Sequence, residues 1–236
     1  MHRFWTMTAA ALALALSVST TAEAGAIHGD VPEQPDPAAK YLIYLHGAWP
    51  ETHPLTEPHS TRGLFEYDKI LTALAGAGFE AISEHRKEKT NPRRYARERV
   101  VKQVEALVAR SVPASNITLV GYSKGGQIAL LAGTFIPQPD LNLVSLAGCE
   151  KAPVRLNYDR FLSNDAARLQ GRMLSVFDKA DKLAGTCREA AEKAPKLSYE
   201  EVVIEVGAGH GAFYTPNQIW IDLIAKWANP QPEKNG

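Results

Sequence analysis

The run Gly121-Tyr122-Ser123-Lys124-Gly125-Gly126 sets one serine between glycines. A short apolar run at 117–120 precedes it, and residues with helical spacing follow. That context predicts a tight strand-to-helix turn lifting the Ser123 hydroxyl above a sheet, with glycines where a side chain would strike neighbouring backbone. The same place is a helix N-terminus, where N–H groups and the dipole favour negative charge. A serine hydroxyl attacks poorly until a base takes its proton. The sequence supplies one at His210, inside Gly207-Ala208-Gly209-His210-Gly211, directly after the apolar run 202–206. A carboxylate must then orient the imidazole and stabilise its charged form. Asp181, a few residues past the run 173–177, is the favoured acid, with Asp178 and Glu150 as alternatives. Asp178 also suits a turn-forming or salt-bridged role.

Such chemistry needs two N–H donors for the oxyanion. One is expected from Lys124, the residue after the serine. The other is expected from His46-Gly47-Ala48-Trp49-Pro50, with the Ala48 amide first and Trp49 next. His46 itself reads as structural. The Lys124 ammonium opposes the helix dipole, so a carboxylate partner such as Glu84 or Glu150 is expected, or else a role in meeting an anionic substrate. His53, His59 and His85, with Glu51 and Glu57, lack metal-ligand spacing, and Pro54 and Pro58 interrupt them. They read as a polar loop beside the pocket, and no metal is expected. Arg93, Arg94, Arg97 and Arg99, broken by Glu98, read as the solvated face of a helix.

The elements that would carry these residues are legible as alternating patterns. Apolar runs at 41–45, 79–82, 117–120, 143–147, 173–177 and 202–206 suit strands covered on both faces. Between them, Tyr67, Ile70, Leu71 and Leu74 share a helical face, as do Val101, Val104, Leu107 and Val108. Ile128, Leu131, Ala132 and Phe135 repeat the pattern, as do Ile219, Trp220, Leu223, Ile224 and Trp227. This alternation predicts an α/β fold: a mostly parallel twisted sheet with helices on both faces. Reactive groups in such sheets gather at the carboxyl ends of the strands.

The ends read differently. Residues 1–24 have a basic start, an apolar run at 9–18 and Ala22-Glu23-Ala24. That order predicts a secretory signal cleaved after Ala24, too short to span a bilayer. Residues 25–39 form an extended, proline-bearing lead-in, 40–228 the domain, and 229–236 a flexible tail. The expected location is periplasmic or secreted. Lys plus Arg equals Asp plus Glu at 26 each, a balance without the basic footprint of a nucleic-acid binder. Roughly 210 residues remain after the signal, enough for one domain with a sizeable core.

Taken in chain order, His46-Gly47, Gly121-x-Ser123-x-Gly125, Asp181 and Gly209-His210 resemble the α/β-hydrolase superfamily over most of 41–227. The resemblance implies an eight-stranded fold and hydrolysis through an acyl-enzyme, with Ser123, Asp181, His210 and Ala48 in the family's roles. Two departures stand out. The usual first two strands are hard to find before Tyr41, so the fold looks reduced at the N-terminus. The segment 149–170 is too short for a large cap, which implies a shallow pocket walled by residues 49–65 and 152–165. Glu84-His85-Arg86 and the Ser123-Lys124 pair look like a group of exported bacterial members. On this topology Cys149 and Cys187 follow neighbouring strands on the same side of the sheet, and a disulfide between them is expected.

The activity expected is hydrolysis of carboxylic esters, with short acyl groups or exposed esters on larger molecules, and without a cofactor. The alternatives are a catalytically silent binding protein on the same fold, or acyl transfer, thioester or amide cleavage by the same residues. The pattern leaves the oligomeric state open.

Overall fold

Strand sequences that are apolar on both faces need helices on both faces, and the structure, a computed structural model, builds that arrangement over residues 24–229. The expected signal peptide up to residue 23 and the tail from residue 230 lie outside the described residues. In chain order the strands are β1 (Ile27–His28), β2 (Lys40–Leu45), β3 (Phe79–Ile82), β4 (Ile117–Tyr122) and β5 (Asn142–Leu146). They continue with β6 (Cys149–Glu150), β7 (Gln170–Asp178), β8 (Ala184–Gly185) and β9 (Lys196–Ile204). Seven of them form one sheet in the order β1-β3-β2-β4-β5-β7-β9, every pair parallel. The remaining two, β6 and β8, pair antiparallel as a small clip beyond the sheet's carboxyl edge.

The helices are α1 (Tyr67–Gly76), α2 (Pro92–Tyr95), α3 (Val101–Ala109), α4 (Lys124–Gly133), α5 (Leu156–Asn164), α6 (Arg188–Lys193) and α7 (Gln218–Ala228). A π-turn, Ala96–Val100, joins α2 to α3, and the Asn91 side chain caps α2 by accepting from the Arg94 N–H. Successive side chains of a strand point to opposite faces, and β2 shows the result. Tyr41, Ile43 and Leu45 pack with α3 and α4, while Leu42 and Tyr44 pack with α1 and α7. In β4, Ile117 and Leu119 join the first layer and Val120 and Tyr122 the second. The site-bearing strands β2 and β4 are thus fixed from above and below.

Three details differ from the sequence reading. Among the described residues the main sheet has seven strands, not the eight that the resemblance implies. The lead-in contributes β1, which pairs with β3 at Ile27 and His28. And β9 begins at Lys196, well before the apolar run that marks it in the sequence. As an edge strand it has exposed and half-buried residues alternating over most of its length, so a polar sequence serves. Among the described residues no helix is long and apolar enough to cross a membrane.

Candidate active site

The turn after β4 is as tight as its glycines suggest. A Cβ on Gly121 would sit 2.1 Å from the Gly125 carbonyl oxygen, and one on Gly125 would sit 1.8 Å from that of Leu45. Ser123 takes φ 53° and ψ −118°, a left-handed conformation rare for a side-chain-bearing residue. Its N–H donates to the Leu146 carbonyl at 2.8 Å, which pins the corner against β5. The hydroxyl therefore stands at the carboxyl edge of the central strands, half-buried.

His210 lies on a short 3-10 turn, Gly209–Phe213, in the loop after β9. Its Nε2 is 2.9 Å from Ser123 Oγ, and its Nδ1 is 2.8 Å from Asp181 Oδ2. A carboxylate can only accept, so Nδ1 carries the proton and Nε2 is left to accept from the serine hydroxyl. The imidazole is 10% exposed and the Asp181 side chain fully buried. Asp181 Oδ1 accepts from the Leu183 N–H at 2.7 Å and the Ala184 N–H at 3.0 Å. Burial raises the Asp181 pKa, but the His210 hydrogen bond and charge and these two amides outweigh it and hold the carboxyl below its ordinary value. Tyr122 Oη donates to the His210 carbonyl at 2.7 Å and fixes the loop from below.

The other two carboxylates do not reach the imidazole. Asp178 sits at the end of β7 and accepts from the N–H groups of Ala180, Val206, Gly207 and Gly209, so it holds the histidine loop to the sheet. Glu150 accepts from Gln127 Nε2 at 2.8 Å and from the Tyr158 N–H at 3.1 Å, bracing α5 against α4. Cys149 and Cys187 are joined by a disulfide that is buried throughout. With the β6–β8 clip, and with Lys151 Nζ donating to the Asp181 carbonyl at 2.8 Å, it secures the loop that carries Asp181.

On the far side of Ser123, the His46-Gly47-Ala48 loop passes close by. A Cβ on Gly47 would lie 3.7 Å from that of Ser123. Lys124 opens α4, so its N–H has no acceptor within the helix. The Lys124 ammonium does not pair with Glu84 or Glu150, as the sequence suggested. Glu84 is taken by Arg99 and the Tyr95 hydroxyl, and Lys124 Nζ is bonded to Glu51 Oε2. A 3-10 turn, Trp49–Glu51, folds that acid back toward the start of the helix. Arg86 Nε donates to Glu51 Oε1 at 3.0 Å, and Arg86 Nη2 donates to the carbonyls of His46 and Gly47. The side chains of Arg86 and Glu51 are 0% and 3% exposed. Burial lowers the Arg86 pKa, and Glu51 counters it.

His46 is fully buried. Its Nε2 accepts from the Arg86 N–H at 2.8 Å, so Nδ1 carries the proton and donates to the Gly47 carbonyl at 2.7 Å. Burial first, then the charge of Arg86, pushes its pKa well below the ordinary histidine value. Within residues 49–65, Trp49 stacks on His53 with ring centres 3.3 Å apart, and His59 meets Trp49 and Tyr214 edge-on. Among the described residues no three His, Cys, Asp or Glu side chains are grouped to hold a metal ion. A cleft of about 290 Å³ runs between α4 and α5, with Gln127, Leu131, Asn157 and Phe161 in its walls but neither Ser123 nor His210. Sequence reasoning missed Glu51 and Arg86. Their acid and base signs were visible, but nothing local announced that they meet.

No protein-family model matches the sequence, and no curated protein matches it. Solved structures do. A lipase-esterase related protein from Clostridium acetobutylicum ATCC 824 superposes with a TM-score of 0.53 at 16% identity, covering 84% of this chain and 97% of that one. Dipeptidyl peptidase 4 from Porphyromonas gingivalis gives 0.52 at 15% identity, with 84% of this chain covering 32% of that one, so the chain spans about a third of that enzyme's length. An acetyl xylan esterase from Paenibacillus sp. R4 gives 0.50 at 14% identity over 84% and 77%. The chain has the α/β-hydrolase fold.

Proposed function

We propose that this protein is a serine hydrolase of carboxylic esters. The observation that carries the reading is the unbroken chain of hydrogen bonds from Ser123 Oγ to His210 Nε2 and from His210 Nδ1 to Asp181. Ser123 attacks the ester carbonyl while His210 takes its proton, and Asp181 stabilises the imidazolium that forms. The tetrahedral oxyanion rests on the Ala48 and Lys124 N–H groups. The leaving alcohol departs with the proton from His210, and water repeats the sequence on the acyl-enzyme. No cofactor is needed for any step. The esterase names among the structural neighbours fit this reading. The short segment beyond β5 and the open wall of Trp49, His53 and His59 suit short acyl groups or esters exposed on larger molecules. The signal-like N-terminus and the buried disulfide fit a protein that works outside the cytoplasm.

The test is a fluorophosphonate probe on the purified protein beside Ser123→Ala, followed by a panel of p-nitrophenyl esters of rising acyl length. Labelling that vanishes in the variant is the expected result. Equal labelling of both proteins, or none of either, ends the proposal.

A further inference from the structure

We infer that Glu51, with Arg86, sets the distance and direction between the two oxyanion donors of the site proposed above, on which this inference rests. Backbone pairing sets β2 beside β4 as far as Leu45 and Gly121, but both donors lie beyond the paired residues: Lys124 begins a helix after β4, and Ala48 lies in the loop after β2. The side chains join them. Lys124 Nζ binds one oxygen of Glu51, the other oxygen accepts from Arg86 Nε, and Arg86 Nη2 reaches the carbonyls of His46 and Gly47. One acid thus touches the residue that follows the nucleophile and, through one guanidinium, the peptide that precedes Ala48.

That peptide is the telling part. The Gly47 carbonyl and the Ala48 N–H belong to one planar trans unit, so they point in opposite directions. Arg86 at 3.1 Å and His46 Nδ1 at 2.7 Å hold the carbonyl inward, which turns the Ala48 N–H outward. Fold stability alone does not call for this arrangement. A buried ion pair rarely gains over an apolar substitute of the same shape, and Arg86 Nη1 is buried with no partner among the described residues. The cluster also carries two cations on one anion, a net positive charge beneath a place where negative charge would develop.

The experiment uses Glu51→Gln and Lys124→Met in the full chain. For each it measures kcat and KM on p-nitrophenyl butyrate, the rate of fluorophosphonate labelling, and the affinity for phenylboronic acid, which mimics the tetrahedral adduct. Removal of an oxyanion donor or a small misplacement slows catalysis strongly, so Glu51→Gln is expected to lower kcat about tenfold to a hundredfold. KM should stay within about twofold, and boronate affinity should fall alongside kcat, as for a contact realised only in the transition state. Lys124→Met keeps its N–H and a folded helix, and should show the same pattern at smaller amplitude, so it decides the matter if Glu51→Gln does not fold. A labelled wild type with kcat and boronate affinity unchanged in the folded variant overturns this inference alone. A wild type that takes no label overturns the hydrolase reading and this inference together.

Discussion

On the side of β7 and β9, the candidate acid and base are held by carboxylates accepting from backbone amides and by a covalent bridge. Asp178 ties down the histidine loop, Asp181 is fixed by Leu183 and Ala184, and the Cys149–Cys187 disulfide closes the clip below them. On the side of β2 and β3, the loop that passes Ser123 is held by buried charge: Glu51 between Arg86 and Lys124. The first kind of fastening sets carboxylates against neutral amide donors and adds a covalent bond. The second is a network in which losing one partner strands the others in a medium that penalises unpaired charge. The two halves of one site should therefore fail in different ways.

The largest effect tests the first half against itself. Asp181→Asn removes the charge that stabilises the imidazolium and is expected to reduce kcat on a p-nitrophenyl ester by about 10⁴-fold. Asp178→Asn should lose far less activity and more stability, because Asp178 meets amides and not the ring. Equal losses of kcat would erase the distinction drawn between them. Next is the bridge. Cys149→Ser with Cys187→Ser opens a 38-residue separation and should lower the unfolding free energy in urea by about 4 kcal/mol on loop-entropy grounds. A change below about 1 kcal/mol would show that the amide bonds alone secure the acid.

The second half responds to charge. Glu51→Gln should cost about 3 kcal/mol of stability, while a double change with Arg86→Met should cost less than the two single changes added together. Additive losses would mean that the network is not one unit. The smallest effect is a slope. His46 is held neutral in the fold, whereas in the unfolded chain it binds a proton near pH 6.5. Its contribution is complete above that pH and is lost as pH falls toward the folded value. Stability should drop by about 1 kcal/mol per pH unit near pH 6 on this account, steepening toward the limit of about 1.4 as the unfolded histidine becomes fully protonated. The depressed Asp181 adds loss of the same sign below about pH 4. His46→Gln should flatten the upper part of the slope in urea titrations between pH 7 and 5.

The comparison also explains what the sequence made legible. The Ser123 corner and the His210 loop announce themselves because backbone geometry demands glycine beside them, and those demands are local. The strands β2, β4 and β5 stand out because both faces are covered by helices. The first half of β9 does not, since residues 196–201 lie on an edge where solvent accepts polar side chains. Nor does β1, a two-residue strand within a proline-bearing stretch. Asp181 could be favoured over Asp178 but not separated from it, because three residues of loop decide which carboxylate faces the ring. Glu51 and Arg86 lie 35 residues apart and carry no motif. Charge pairs of that kind are set by tertiary packing, which leaves no period or spacing to read.

Ser123 and His210 are 87 residues apart in the chain, and between them the polypeptide must add β5, β7 and β9 in turn to one edge of the sheet. The two side chains meet only when the outermost strand has docked. On the proposed function, a partly folded molecule that lacks this strand is chemically inert, however complete its central layers, and the onset of ester turnover during refolding would report the docking of β9 and not the formation of the layers beneath it.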